Sequence, residues 1–160
     1  MTNKVAYSVI KKLSVDQDER VIEGIMATPT PDRVGDVLEP MGVRYALPLP
    51  LLWQHRHDQP IGNVEYAKPN VEGIPFRARI AKVTESGALK DRVDEAWQSL
   101  KYGLIRAVSI GFGVDDDGAE IMRDGGYRFT SWELRELSLV TIPANADATI
   151  NVIRSIDTIF

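Results

Sequence analysis

Alternation of apolar and polar positions predicts that most of this chain forms strands. Residues two apart fall on the same face of a strand, so the alternation marks a strand with one buried face. The polar stretch at 16–19 predicts a hairpin between the first two strands, and three prolines within 28–40 predict a long surface loop. Four segments carry the strand pattern clearly: residues 5–10, 21–27, 64–66 and 74–83.

One segment has the period of a helix instead. Its apolar residues are spaced three and four apart, so they share one face and predict a helix over 88–101 that faces the core. Gly103 stands where a glycine commonly ends a helix. The apolar face consists of Leu89, Val93, Ala96, Trp97 and Leu100.

The strand predicted next, over 104–114, has two unlike faces. Glycine inside a strand weakens it and commonly marks the close approach of another group. Tight packing against a helix is the simpler explanation of its small-residue face, and an extended substrate lying beside the strand is the functional one. Ser109 is the only side chain on that face able to act as a nucleophile. The small face consists of Ala107, Ser109, Gly111 and Gly113, opposite Val108, Ile110, Phe112 and Val114.

The last strongly patterned segment, 127–142, has a carboxylate at an apolar position. Alternation predicts that Glu136 shares a face with Trp132, Leu134, Ser138 and Val140. A buried carboxylate needs a partner. An arginine would be a structural partner, and a histidine would be a catalytic one.

Composition narrows the class of protein. The 160 residues suit a single domain, and 44% apolar with 26% charged residues is typical of a soluble globular protein. A formal charge of −4 without a basic run gives nucleic-acid binding no support. The absence of cysteine excludes disulfides and thiolate chemistry, and fits a reducing compartment. With no apolar run of about 20 residues, we expect no membrane span, and the domain is expected to be intracellular.

The two histidines of the chain, His55 and His57, are candidates for a general base. A histidine beside a tryptophan is also commonly a structural, hydrogen-bonded residue. The H-x-H spacing aims both rings at one face of a strand, as in some metal sites. A metal needs three or four ligands, and only carboxylates such as Asp58 or Glu65 could complete this one. The residues thus offer Ser109 as nucleophile, a histidine base and an orienting carboxylate, with a metal site as a weaker alternative.

Four sequence blocks resemble a known family. They are DRVGDV at 32–37, LWQH at 52–55 with QPIG at 59–62, AVSIGF at 107–112 and ELSLVTIPAN at 136–145. In this order, over about residues 21–150, the chain resembles the prohead proteases of tailed phages. That family is typified by phage HK97, and its fold is related to the herpesvirus assembly proteases.

The resemblance implies a mainly β protein with helices (α+β), namely a closed or nearly closed antiparallel β-barrel with packed helices. It implies a single domain over 1–160 that acts as a serine endopeptidase without cofactor or metal. The implied substrates are segments of the scaffold and the major capsid protein, and the chain itself is a further candidate substrate. The implied location is the immature phage head in the host cytoplasm. Oligomeric state stays open, with a homo-oligomer among the alternatives.

The resemblance also implies roles for individual residues. Ser109 matches the family's nucleophile, and His55, directly after Trp53 and Gln54, matches its base. Glu136 is preferred as the third member, with His57 as the alternative because the herpesvirus relatives use a second histidine. Donors to the oxyanion stay open between backbone N–H groups near Ser109 and the side chains of Arg106 or Arg33. A catalytically inactive phage structural barrel and an H-x-H metalloprotein are the two competing functions.

Overall fold

Short strands and one helix make up the computed structural model, which describes residues 9–11 and 19–154. The helix, α1, spans Ala88–Lys101, and a short 3-10 turn spans Pro40–Gly42. The twelve strands in chain order are β1 Val9–Lys11, β2 Val21–Ile25, β3 Val37–Leu38, β4 Val43–Arg44, β5 Leu49–Trp53, β6 Arg56–Ala67, β7 Pro75–Ile80, β8 Ala107–Val114, β9 Ala119–Ile121, β10 Tyr127–Phe129, β11 Trp132–Val140 and β12 Thr149–Arg154.

Seven of these strands close into a barrel. Around the barrel the order is β12, β2, β7, β6, β5, β11 and β8, and β8 returns to β12. Neighbouring strands are antiparallel except β5 and β11, which are parallel. The predicted mainly β barrel is therefore confirmed. The parallel pairing of β5 with β11 differs from the prediction, which had all neighbouring strands antiparallel. Within the described residues a single α-helix accompanies it, rather than several. The closer likeness to herpesvirus assembly proteases stays a prediction.

The predicted hairpin between the first two strands is wrong. Strand β1 lies parallel to β12, and β12 lies between β1 and β2. A local polar stretch carries no information about a strand that arrives from the far end of the sequence. Residues 5–8 and 12–18, which belonged to that prediction, lie outside the described residues.

Helix α1 closes one side of the barrel by packing on β6 and β7. Val93, Ala96, Trp97 and Leu100 are buried as predicted, whereas Leu89 in the first turn is 45% exposed. Gly103 adopts a positive φ of 71°, the left-handed conformation that ends a helix at low cost for glycine. The helix thereby delivers the chain into β8. No helix among the described residues is long and apolar enough to cross a membrane.

Candidate active site

Strand β8 carries the candidate nucleophile on its outward face. Val108 lies in the barrel core, and Ile110 and Phe112 pack against that core, which confirms the predicted alternation. Ser109 therefore points to the opposite side, yet it is only 4% exposed. Its partner across the sheet is Ser138 of β11. The strand itself begins at Ala107, three residues later than predicted.

Strand β11 contains a β-bulge that decides where the candidate carboxylate points. The register with β8 shifts between Leu134 and Glu136, so Arg135 is an extra residue on this strand. Trp132 and Leu134 face the core before the bulge, and the core residues after it are Leu137 and Leu139. Glu136 and Ser138 consequently face outward, on the same side as Ser109. The prediction that Glu136 shares a face with Trp132 and Leu134 is wrong because the bulge inverts the alternation.

A strained turn between β5 and β6 presents His55 to this outward face. Gln54 and His55 both have positive φ, 50° and 60°, which non-glycine residues adopt only when their surroundings hold them there. The backbone N–H of Gln54 donates to the carbonyl of Leu139 at 2.9 Å, and its side-chain amide donates to Thr141 Oγ1 at 3.0 Å. The N–H of His55 donates to Ser138 Oγ at 3.0 Å. Strand β11 thus fixes the turn in place.

His55 and Glu136 meet in a short, direct contact. The distance between His55 Nδ1 and Glu136 Oε1 is 2.6 Å. The other carboxylate oxygen, Oε2, accepts a hydrogen bond of 2.7 Å from Ser138 Oγ. Glu136 is buried, at 5% exposure, whereas the His55 side chain is 42% exposed. With Nδ1 on the carboxylate, the ring presents Nε2 as its second nitrogen, which is the arrangement of an oriented general base.

Ser138 is a site residue that the sequence pattern did not single out. It is fully buried and hydrogen-bonds both the His55 backbone and the Glu136 carboxylate. Its position two residues after Glu136 placed it on the same strand face, but a serine in a strand has no catalytic signature of its own. Among the described residues, no hydrogen bond joins Ser109 directly to His55. Ser138, which hydrogen-bonds His55 and Glu136, lies opposite Ser109 on the neighbouring strand.

The small-residue face of β8 makes room for side chains of β11. A Cβ at Gly111 would collide with the Glu136 carboxylate, and one at Gly113 would collide with the end of the Arg135 side chain. The sequence pattern allowed two explanations of these glycines, a packed helix or a substrate beside the strand. In the structure the side chains of Glu136 and Arg135 occupy the space instead. Gly111 is small because the candidate catalytic carboxylate lies across it.

The chain's relatives are phage proteins. Residues 14–159 match the family described as "Caudovirus prohead serine protease". The chain belongs to this family. It is 26% identical to the prohead protease of Escherichia phage T5 over 92% of this chain and 70% of that protein. It is 25% identical to the prohead protease of Enterobacteria phage HK97 over 93% of this chain and 71% of that protein.

A further relative is much longer than the chain. The capsid polyprotein of Pseudomonas phage PAJU2 is 53% identical over 98% of this chain, but the match covers 23% of the polyprotein. The chain thus spans about a quarter of that relative.

His57, the alternative third member, does not take part in the contact between His55 and Glu136. It is exposed and lines a shallow outer groove with Glu136 and Arg135. Among the described residues it makes no hydrogen bond or ion pair, and no group of three or more histidine, aspartate or glutamate side chains is placed to hold a metal. The geometry therefore favours Glu136 as the partner of His55.

The two candidate arginines for the oxyanion both donate to backbone carbonyls. Arg33 Nε donates to the carbonyl of Pro143 at 2.7 Å, and its backbone N–H donates to Ala144. Arg106 Nε donates to the carbonyl of Gly103 at 2.8 Å. Arg33 thereby ties the 28–36 loop to the segment after β11. The role of either side chain toward an oxyanion stays a prediction.

Proposed function

We propose that this chain is the serine endopeptidase of phage head assembly, with Ser109 as nucleophile, His55 as base and Glu136 as the orienting carboxylate. The 2.6 Å contact between His55 Nδ1 and Glu136 Oε1 is the observation that carries the proposal. It joins a residue of the β5–β6 turn to a residue of β11, and the outward face on which they meet also carries Ser109. Membership of the prohead serine protease family supports the same chemistry.

The proposed reaction is acyl transfer through a covalent intermediate. His55 Nε2 takes the hydroxyl proton of Ser109 as Oγ attacks the peptide carbonyl, and the protonated ring then gives that proton to the leaving amine. A water repeats the cycle on the acyl-enzyme, so the products are a carboxylic acid and an amine. Glu136 holds the imidazole with Nδ1 toward the carboxylate and stabilises the imidazolium. Glu136 is buried, and its Oε2 accepts a hydrogen bond from Ser138 Oγ. Both features hold the carboxylate in this orientation.

The proposed substrates are scaffold and capsid-protein segments inside the immature head in the host cytoplasm. The similarity to a capsid polyprotein adds a specific possibility for this chain. A protease domain that belongs to a longer polypeptide has a substrate at high effective concentration in its own chain. Self-cleavage near the domain boundary is therefore part of the proposal.

Co-expression with the major capsid and scaffold proteins of the same phage tests this function. The wild type should convert them to defined fragments that mass spectrometry can map, and Ser109→Ala should produce none. Ser99→Ala, a half-buried serine of α1, is the matched control and should cut like the wild type. The Ser109→Ala protein should keep its fold, with a change in stability of about 1 kcal/mol or less.

A fluorophosphonate probe provides the second measurement. It should label the wild type at Ser109 and leave Ser109→Ala unlabelled. Fragments that persist unchanged in Ser109→Ala would rule out Ser109 as the nucleophile. A wild type that neither labels nor cuts would instead identify the chain as an inactive structural barrel.

A further inference from the structure

One edge of β8 has no strand beside Ser109 among the residues that the structure describes. Strand β12 pairs with β8 only at Ala107, through hydrogen bonds from the Val108 N–H to Ala148 and from the Ile150 N–H to Arg106. These bonds show that even-numbered residues of β8 point their backbone groups away from β11. Alternation then directs the N–H and C=O groups of Ile110 and Phe112 to the same edge, beyond the place where β12 leaves.

A cleft lies along this open edge and reaches Ser109. Ile110, Phe112 and Ser109 line it from β8, and residues of the 28–38 segment line it from the other side. Among the described residues, β8 has only β11 and β12 as strand partners. The backbone of Ile110 and Phe112 is therefore available to a chain that enters the cleft in extended form. Such an added strand gains main-chain hydrogen bonds without requiring a particular sequence.

The wall opposite β8 carries negative charge. Asp32 Oδ1 accepts hydrogen bonds from the backbone N–H groups of Val34 and Asp36, and Asp36 Oδ1 accepts one from Tyr127. Among the described residues, neither aspartate forms an ion pair, and the second oxygen of each carboxylate has no hydrogen-bond donor. Arg33, the nearest basic residue in sequence, is bonded to Pro143 instead. Both carboxylates line the cleft that Ser109 also lines. Ser109 is 4% exposed, and its hydroxyl has no hydrogen-bond partner among the residues that the structure describes.

We propose that the substrate adds to the free edge of β8 as an extended strand, paired with the backbone of Ile110 and Phe112, and sets a lysine or arginine side chain against Asp32 and Asp36. The inference rests on the proposed function and specifies its substrate: an extended peptide with a basic residue near the scissile bond. Strand addition brings the peptide backbone alongside Ser109. The two carboxylates select among segments able to bind in this way, because their negative charge repels any acidic side chain placed there.

Backbone amide exchange tests the strand addition without relying on catalysis. In free Ser109→Ala protein, the amides of Ile110 and Phe112 should exchange much faster than those of Ser109 and Gly111, which face β11. Two decapeptide pools serve as probes, random at nine positions and fixed at the fifth as lysine or as glutamate. The lysine pool should slow exchange at Ile110 and Phe112 by about tenfold or more, and the glutamate pool should have little effect. Unchanged exchange at both residues with saturating lysine pool would overturn the proposal, as would equal protection by the two pools.

Cleavage of the same pools by the wild type separates this inference from the proposed function. We expect preferential cutting of the lysine pool, and Asp32→Asn with Asp36→Asn should reduce that preference about tenfold or more. Asparagine keeps the Oδ1 acceptor that holds the loop, so the fold is retained. Asp91→Asn on α1 is the charge-matched control. Cleavage without a lysine preference would refute the substrate assignment and leave the protease intact. Absence of all cleavage, with exchange protection preserved, would refute the protease and leave the binding edge.

Discussion

His55 and Glu136 stand 81 residues apart in the chain, yet their side chains lie 2.6 Å apart, between His55 Nδ1 and Glu136 Oε1. The contact depends on two irregular features. The turn after β5 holds His55 at a positive φ, and the bulge at Arg135 turns Glu136 to the outward face. A regular β11 would have directed this carboxylate into the barrel core, where it could not reach the histidine.

The first prediction concerns this contact. Glu136→Gln should lower kcat by roughly a hundredfold to ten-thousandfold, because a neutral amide neither stabilises the imidazolium nor fixes one orientation of the ring. KM should change little, since Glu136 does not line the β8 cleft. Steady-state kinetics on one cleavable peptide measures both. A kcat within a few-fold of the wild type would show that the contact is structural.

The second prediction separates the two histidines. His55→Ala should lose activity by several orders of magnitude, as removal of a triad base does. His57→Ala should stay within a few-fold of the wild type, because His57 is exposed and makes no hydrogen bond among the described residues. The same peptide assay on both variants decides the matter. Equally severe losses at both positions, with Glu136→Gln almost unaffected, would establish a Ser-His-His arrangement.

Sequence reasoning singled out three candidate site residues but did not predict the geometry that surrounds them. Ser109 and His55 were singled out by a small-residue strand and a rare residue type, and both signals are local. Glu136 was singled out as a buried carboxylate that needs a partner, and it is buried beside His55. The strand face predicted for it, shared with Trp132 and Leu134, was wrong. The bulge at Arg135 leaves no compositional mark, so alternation alone could not show that the strand changes face there.

The other features that the sequence pattern did not predict depend on contacts between distant segments of the chain. The parallel pairing of β5 with β11, and the place of β12 between β1 and β2, depend on which strands meet when the barrel closes. Ser138 gained its role from the same closure, because its two hydrogen bonds join β11 to the His55 turn. A single sequence has local periodicity but no direct record of such pairings.

The third prediction assigns a positioning role to Ser138. Ser138→Ala leaves the His55 N–H without its acceptor and Glu136 Oε2 without its donor, so stability should fall by about 1–3 kcal/mol. Loss of orientation should lower kcat about tenfold and leave KM nearly unchanged. Chemical denaturation and kinetics measure the two effects. Ser138→Thr retains a hydroxyl and should recover part of the lost kcat. An unaltered kcat in Ser138→Ala would show that the role of Ser138 is purely structural.

The fourth prediction compares two glycines on one strand face. Gly111→Ala places a methyl group against the Glu136 carboxylate, which is buried and held by two hydrogen bonds, so kcat should fall about tenfold or more. The nearest atoms to a Cβ in Gly113→Ala belong to the end of Arg135, whose side chain is 64% exposed and paired with Glu133 at the surface, so it can move toward solvent at low cost. The second variant is the matched control and should keep near-wild-type activity. Equal effects of the two substitutions would mean that crowding at Glu136 is not what requires Gly111.

The last prediction concerns acid stability and the attachment of α1. Asp94 on the helix receives hydrogen bonds from Lys90 and from Arg20, which precedes β2, and these bonds lower the pKa of the Asp94 carboxyl. A folded-state pKa below the unfolded value means that the interaction stabilises the fold above the unfolded pKa and is lost as pH falls through the folded one.

Asp94→Asn should therefore reduce the free energy of unfolding at pH 7, by up to about 1 kcal/mol for an ion pair near the surface. The difference from the wild type should shrink toward zero well below pH 3.8, the ordinary pKa of the group. Urea unfolding at pH 7 and pH 2.5 measures it, with Glu95→Gln on the exposed face of the same helix as control. A deficit in Asp94→Asn of equal size at both pH values would show that packing, rather than the charged interaction, holds the helix at this position.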